Sequence, residues 1–532
     1  MKRFNTTGKC MADRHYMVRI DRQVNAAARL VEDNMYFCIN RGRQYGKTTT
    51  LEFLKQHLEC EGYAVFFISF EGMPDSAYES LETLLYTSII KMSFPLKWIR
   101  AMANLSESSL QLLNEAVSKN SGTIRVDDYS MLIASMCNSD RVVLIIDEVD
   151  QAGNYPAFIK FLGLLRSMYL SRDQIPTFQS VILAGVYDIK NLKLKLRPEE
   201  LHQYNSPWNI AAPFDIDMSL HADGIAEMLA EYKADHKIDF DETAIAQMIY
   251  DYTSGYPFLV SRLCQIMDEN GYTRDKKGNL IAVNNWDKDD LLAAINQLLK
   301  ESNTLFDDIT KQLVQFPSLA EMLKSILYGG QRVTYNYYDK DINLAAMFNF
   351  VYDNHGATAV SSRILETWLY NYFSSEERSS TIFKKGEADK NQFIRDGHLD
   401  MRHVLERFIV HFNEIYRPEK DDKFVEDNGR KIFLTYLRPI INGVGNYYCE
   451  SQTRDLTRTD VVVDYLGEQF VVELKIWRGN SYHEQGEQQL REYLDFFRLQ
   501  EGYLVSFCFN KDKQPGIHDV LVGGKKIVEA LI

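Results

Sequence analysis

Between residues 36 and 59 an apolar run, Tyr36 to Asn40, breaks into a short polar loop, which then turns into a helical run from Thr48 to Glu59. The junction, NRGRQYGKTTTL (40–51), constrains the fold more than any other segment. A glycine–lysine–threonine triplet placed between a strand and a helix is a phosphate-binding loop, and that context is what gives the triplet meaning. Gly46 lets the backbone approach a phosphate closely, Lys47 reaches the β- and γ-phosphates, and Thr48 offers its hydroxyl to Mg²⁺. All three sit where the helix dipole and unpaired N–H groups favour anions. The usual spacing also asks for a glycine six positions before the lysine. Arg41 stands there instead, followed by Gly42, so the first turn of the loop is altered. The residues expected to contact nucleotide are therefore Arg41, Gly42, Gly46, Lys47, Thr48 and Thr49.

A second element separates this reading from an accidental triplet. RVVLIIDEVD (141–150) is an apolar strand ending in two acids. Asp147 is placed to hold Mg²⁺ with Thr48, and Glu148 to orient or activate the attacking water. Tyr63–Phe70, Val142–Ile146 and Ser180–Ala184 are almost entirely apolar, as parallel strands covered on both faces must be. The expectation is an α/β domain with a parallel sheet over residues 1–215, binding ATP and Mg²⁺.

These residues resemble the bacterial AAA-like or STAND-related P-loop ATPases. The resemblance rests on RQYGKTTTL, LIIDEVD, ILAGVYD (182–188) and SGYPFLVSRLC (254–264), and it covers roughly residues 1–370. It implies a helical lid over 216–300, carrying the Gly255–Pro257 turn, and a polar sensor for which Asp188 is the nearest candidate. Pro257 reads equally well as the first residue of an ordinary helix. Arg41, Arg43 and Arg262 are equivalent candidates for an arginine finger. Residues 301–374, with a Tyr-rich strand-like run at Val333–Tyr338, read as a winged-helix-like module. The polar stretch 375–397 reads as a linker.

The last part, 398–532, carries different chemistry. TDVVVDYLGEQFVVELKIWRG (459–479) reads as a β-hairpin turning at Gly467-Glu468. That turn pairs Asp464 with Val471, Val462 with Glu473 and Asp460 with Lys475. Alternation then puts Asp460, Glu473 and Lys475 on one face, and Val461, Val463, Val472 and Leu474 on the other. Two carboxylates and the Leu474 carbonyl form a hard-oxygen set suited to Mg²⁺, with a lysine beside it to stabilise hydroxide or phosphate charge. An E-x-K triplet alone is common on exposed strands, so the reading depends on this layout.

The constellation resembles the PD-(D/E)XK nuclease superfamily over about 400–532. Asp460 matches its first acid, and Glu473-Leu474-Lys475 its E-x-K. Gln489 and Tyr493 match its Q-x-x-x-Y helix, and Glu426 its first-helix acid. Thr459 stands where the superfamily often has proline; Glu450 and Arg458 are further polar candidates. The resemblance implies Mg²⁺-dependent phosphodiester hydrolysis by Asp460, Glu473, Lys475, Gln489 and Tyr493, with DNA as substrate.

Charge tempers this. The chain carries a net −14, and residues 401–532 hold 18 Lys and Arg against 21 Asp and Glu, so no broad basic coat holds nucleic acid by counterion release. A nucleotide-dependent switch or scaffold that binds nucleic acid or a partner without cleaving is the competing expectation, and an ATPase that remodels its target is a third. Seven scattered cysteines with no CxxC spacing suit reduced thiols in a cytoplasm and argue against a zinc site. With no apolar leader or membrane-length run, the expectation is a cytoplasmic protein, with self-association open.

Overall fold

A computed structural model describes all residues except 1, 99–103, 120, 187–207, 275–279, 283–284, 329–332, 377, 416–425, 442–444, 449–460, 478–479, 497 and 509–513. The chain divides into two compact units, Phe4–Ser219 and Leu220–Ile532.

In the first unit, β1 (Phe37–Asn40), β2 (Ala64–Ser69), β3 (Val142–Asp147) and β4 (Ser180–Gly185) form a parallel sheet in the order β1-β4-β3-β2. The all-apolar runs are explained by coverage of both faces: Phe37, Ile39, Leu144, Ile145, Ile146 and Ile182 are buried. Parallel pairing aligns the C-terminal ends of the strands, which places the loop after β1 beside Asp147 at the end of β3. Asn40 pairs with Gly185, and Ser69 with Asp147.

In the second unit, helices Ala222–His236, Glu242–Thr253, Pro257–Asn270 and Lys288–Leu298 come first. Pro257 is the first residue of its helix. The turn before it needs glycine: Gly255 has φ +69°, and a Cβ there would lie 2.3 Å from the Leu220 carbonyl oxygen. Helices Thr304–Gln315, Pro317–Tyr328 and Lys340–Met347 follow, then an antiparallel hairpin of Val351–Asn354 and Ala357–Val360. The run Val333–Tyr338 is not a strand; only Thr334 makes an isolated bridge, to Ala357. The hairpin forms further along, where alternating small and β-branched residues (Ala357–Val360) follow the turn at His355-Gly356.

The stretch expected to be a linker contains a packed helix, Thr381–Asp389. Its charged composition hides a close crossing with helix Glu426–Ile441, where a Cβ on Gly386 would meet the Tyr436 carbonyl oxygen at 2.2 Å. Asp389 anchors the helix end, accepting from His411 Nε2 at 2.6 Å and Arg407 Nε at 3.3 Å. Helix propensity alone favours Gly386→Ala by about 0.5–1 kcal/mol. The contact with backbone reverses the sign, so this variant is expected to lower the Tm. Gly163→Ala, in helix Pro156–Leu170 with nothing within 4 Å of the added methyl, is expected to raise it. A thermal melt of each variant decides, and a stabilised Gly386→Ala would contradict the crossing.

The C-terminal sheet comprises β5 (Gly445–Tyr448), β6 (Val461–Tyr465), β7 (Glu468–Ile476), β8 (Glu501–Phe507), β9 (Gly516–Val522) and β10 (Lys525–Leu531), in the order β5-β6-β7-β8-β10-β9. β5, β6 and β7 are antiparallel neighbours, whereas β7–β8 and β8–β10 are parallel. Helix Asn480–Phe496 packs on one face, where the Gly486 Cβ position lies 3.7 Å from both Leu504 and Lys475. Helix Glu426–Ile441 packs on the other, with Gly429 against Phe507.

The hairpin register differs from the expected one. The turn is Leu466-Gly467, with φ +47° and +88°, the conformation of a type I′ loop. Tyr465 therefore pairs with Glu468, Asp464 with Gln469 and Val462 with Val471. Gly467 occupies the second turn position, not the first, so the pairing slides by two residues. An even slide keeps every side chain on its face. The observed register also gives buried Asp464 its donors, Gln469 Nε2 at 2.8 Å and Tyr252 OH at 3.0 Å.

Candidate functional site

The phosphate loop leads into the helix Lys47–Cys60 through Gly46, whose φ of +80° is left-handed. The first N–H groups of a helix have no acceptor one turn back, and here they face the loop. Lys47 is buried, and its ammonium donates to the carbonyls of Arg41 and Gly42, each at 3.0 Å. Burial lowers the pKa of Lys47, while the nearby charges of Glu148, Asp150 and Asp147 oppose that shift. Thr48 Oγ1 donates to Asp147 Oδ2 at 2.8 Å, so the two motifs meet directly. A hydroxyl and a carboxylate oxygen at that spacing are a fitting donor pair for Mg²⁺.

Asp147 also accepts the Glu148 N–H at 2.9 Å, and Glu148 itself is left-handed at φ +55°. A non-glycine residue held there marks a constrained orientation. Partial burial, followed by the charge of Asp147, raises the Glu148 carboxyl above its usual range, which makes its carboxylate a stronger base.

Three expected contacts are placed differently. The Arg41 guanidinium donates to the carbonyls of Asn40 and Ile216, each at 2.9 Å, so only its backbone faces Lys47. Thr49 Oγ1 accepts the Cys10 N–H at 3.1 Å, tying the helix to the N-terminal segment. Arg262 is held by both oxygens of Glu301, at 2.9 and 2.7 Å, and Arg43 is the exposed one of the three arginines. Asp188 lies outside the described residues. Asp150 was given no role from sequence, yet its carboxylate accepts the Val186 N–H at the end of β4 and would collide with a Cβ on Gly185. Its place as the fourth residue of DEVD was the available signal.

In the C-terminal sheet, Glu473 is 0% and Lys475 18% exposed, with Glu473 Oε1 at 3.0 Å from Lys475 Nζ. Lys475 also donates to Gln489 Oε1 at 3.1 Å. Strand β7 and the helix Asn480–Phe496 thus bring three of the expected residues together. Tyr493 is buried one turn further along that helix, and Leu474 points into the opposite face. Asp460, Glu450 and Arg458 lie outside the described residues. Glu426 opens its helix, with its side chain outside the description.

Residues 7–335 match the family model of the AAA-like domain. The chain belongs to that family. No curated protein sequence matches it. Among solved structures, it is similar to the Walker-type ATPase PABY2304 of Pyrococcus abyssi, at 13% identity over 69% of this chain and 99% of that one, with a TM-score of 0.46. It is also similar to the Aeropyrum pernix ORC2 protein, at 13% identity over 68% and 96%, with a TM-score of 0.38. The AAA-like match includes the Lys47 loop, the Asp147 strand and the helices that follow Leu220. Among the described residues, no helix is long and apolar enough to cross a membrane.

Proposed function

We propose that this AAA-like protein binds and hydrolyses ATP, and that its C-terminal α/β part, of the PD-(D/E)XK type, hydrolyses phosphodiester bonds in DNA. The observation that carries the second half is the convergence of Glu473, Lys475 and Gln489 within hydrogen-bond distance, on the face of β7 covered by helix Asn480–Phe496. The order of elements supports it as well: a helix, three antiparallel strands, a second helix, then a strand parallel to the third.

At the nucleotide site, Lys47 neutralises the triphosphate, Thr48 and Asp147 are the groups that would hold Mg²⁺, and Glu148 takes a proton from the attacking water. The arginines at 41 and 262 are engaged within the chain, which leaves Arg43 as the exposed candidate for an arginine finger. At the second site, Glu473, Asp460, Glu426 and the Leu474 carbonyl are the groups that would hold Mg²⁺. When bound, Mg²⁺ supplies charge neutralisation and a water of lowered pKa. Lys475 stabilises the charge that builds on the phosphate, and Gln489 orients its ammonium. Tyr493, buried one turn further along the same helix, lies on the same side of it as Gln489. The subdivision into core, lid (216–300), winged-helix-like module (301–374) and nuclease part (398–532) belongs to the same proposal, as does a cytoplasmic location.

The test is cleavage of labelled double- and single-stranded DNA with Mg²⁺, with and without ATP, by wild type and Glu473→Ala. Cleavage that depends on Mg²⁺ and disappears in Glu473→Ala is the expected result. Equal cleavage by both, or none on any substrate, would sink the nuclease reading. The complete burial of Glu473 favours a second reading, a nucleotide-dependent switch whose C-terminal part only binds nucleic acid or a partner. That reading predicts ATP-dependent changes in size or binding while DNA stays intact.

A further inference from the structure

The helix that carries Gln489 also carries His483 and Glu487, one turn apart and therefore on one side of it. Both meet Glu529, which comes from β10 between the buried Val528 and Ala530. His483 Nε2 lies 3.0 Å from Glu529 Oε1 and 3.6 Å from Glu487 Oε1. One ligand-type atom from each residue lies within 4.8 Å of the others, and the three side chains are 10–16% exposed.

The imidazole is oriented from behind. Its Nδ1 faces Ser506 Oγ at 3.4 Å, and its ring packs on Trp477 with centroids 4.5 Å apart. A second contact that fixes the ring and aims Nε2 outward is the usual support of a metal-binding histidine.

We propose that His483, Glu487 and Glu529 form a divalent-cation site. One imidazole nitrogen with two carboxylates suits Zn²⁺ or Mn²⁺, whereas Mg²⁺ prefers an all-oxygen, largely hydrated shell. The site is separate from the Glu473 cluster. Glu473, Leu504 and Glu529 pair in one row across β7, β8 and β10, so two strand spacings of about 4.8 Å separate the acids. That is too wide for a shared pair of metals at about 4 Å. The cation would instead pin the helix to the sheet and so position Gln489.

The test uses the full chain, stripped by chelator and titrated calorimetrically with Zn²⁺, Mn²⁺ and Mg²⁺, beside His483→Ala and the near-isosteric Glu487→Gln. The wild type should bind one more equivalent of Zn²⁺ or Mn²⁺ than either variant, or bind it at least tenfold more tightly. Co²⁺ loaded into the wild type should give visible absorption bands that are lost in both variants. Equal stoichiometry and affinity in all three proteins, or binding of Mg²⁺ alone, would refute the site. Neither readout involves DNA cleavage, so failure here leaves the nuclease reading standing, and the reverse holds too. Should His483→Ala fail to fold, Glu487→Gln alone decides.

Discussion

Lys47→Ala is expected to lower the affinity for ATP by two to four decades while the protein remains folded. The ammonium sits among the Arg41 and Gly42 carbonyls and three acids, and its two carbonyl bonds are the ones a triphosphate would replace. A hydrogen bond to a charged group contributes about 1.5–3 kcal/mol. Losing two such contacts with phosphate removes about 3–6 kcal/mol, and each 1.4 kcal/mol or so is a factor of ten. The fold is spared because the methyl of alanine removes a buried cation whose desolvation already works against it. Two measurements check this: titration with a fluorescent ATP analogue, and the ATP-induced rise in Tm that mass action requires of a folded-state ligand. A variant that keeps the wild-type affinity would mean that nucleotide does not bind at this loop. Glu148→Gln gives the complementary profile, keeping affinity and losing turnover.

The elements and placements legible in the sequence are those whose neighbours along the chain define their surroundings. Four apolar runs specify four parallel strands, because a strand covered on both faces has no choice of composition. Gly46, Lys47 and Thr48 follow from a strand–loop–helix junction, and Asp147 from a strand ending in acid. Pairing details were harder to read. In the hairpin, the faces of Glu473 and Lys475 survive because an even slide preserves them. The register itself turned on whether Gly467 takes the first or second turn position, and Leu466 accepting a left-handed φ was not foreseeable from local preference. The helix Thr381–Asp389 was missed because its stability comes from contacts with Tyr436, His411 and Arg407, all distant in sequence. The cluster of His483, Glu487 and Glu529 was missed for the same reason. A histidine and a glutamate one turn apart are ordinary on a helix, and only the sheet order brings Glu529 beneath them.

The second large effect is expected at Lys475. On the nuclease reading, Lys475→Met should reduce Mg²⁺-dependent DNA cleavage by about 10²–10³, the usual cost of removing one preorganised donor from developing oxyanion charge, and leave ATP turnover unchanged. Methionine keeps the apolar stem against Gly486 but leaves the buried Glu473 carboxylate without its cation. Breaking a buried pair from one side costs about 3–5 kcal/mol, so lost activity could reflect lost folding. The double variant Glu473→Gln/Lys475→Met separates the two, because replacing both members by neutral groups of similar shape removes the unpaired charge. Its Tm should recover relative to the single variant, while cleavage should remain absent. If cleavage recovers along with stability, the pair holds the sheet together and contributes nothing to chemistry. Gln489→Leu tests the same geometry from the helix side: it frees the ammonium from its 3.1 Å contact, and a smaller loss is expected, since Lys475 keeps its charge and loses only its orientation.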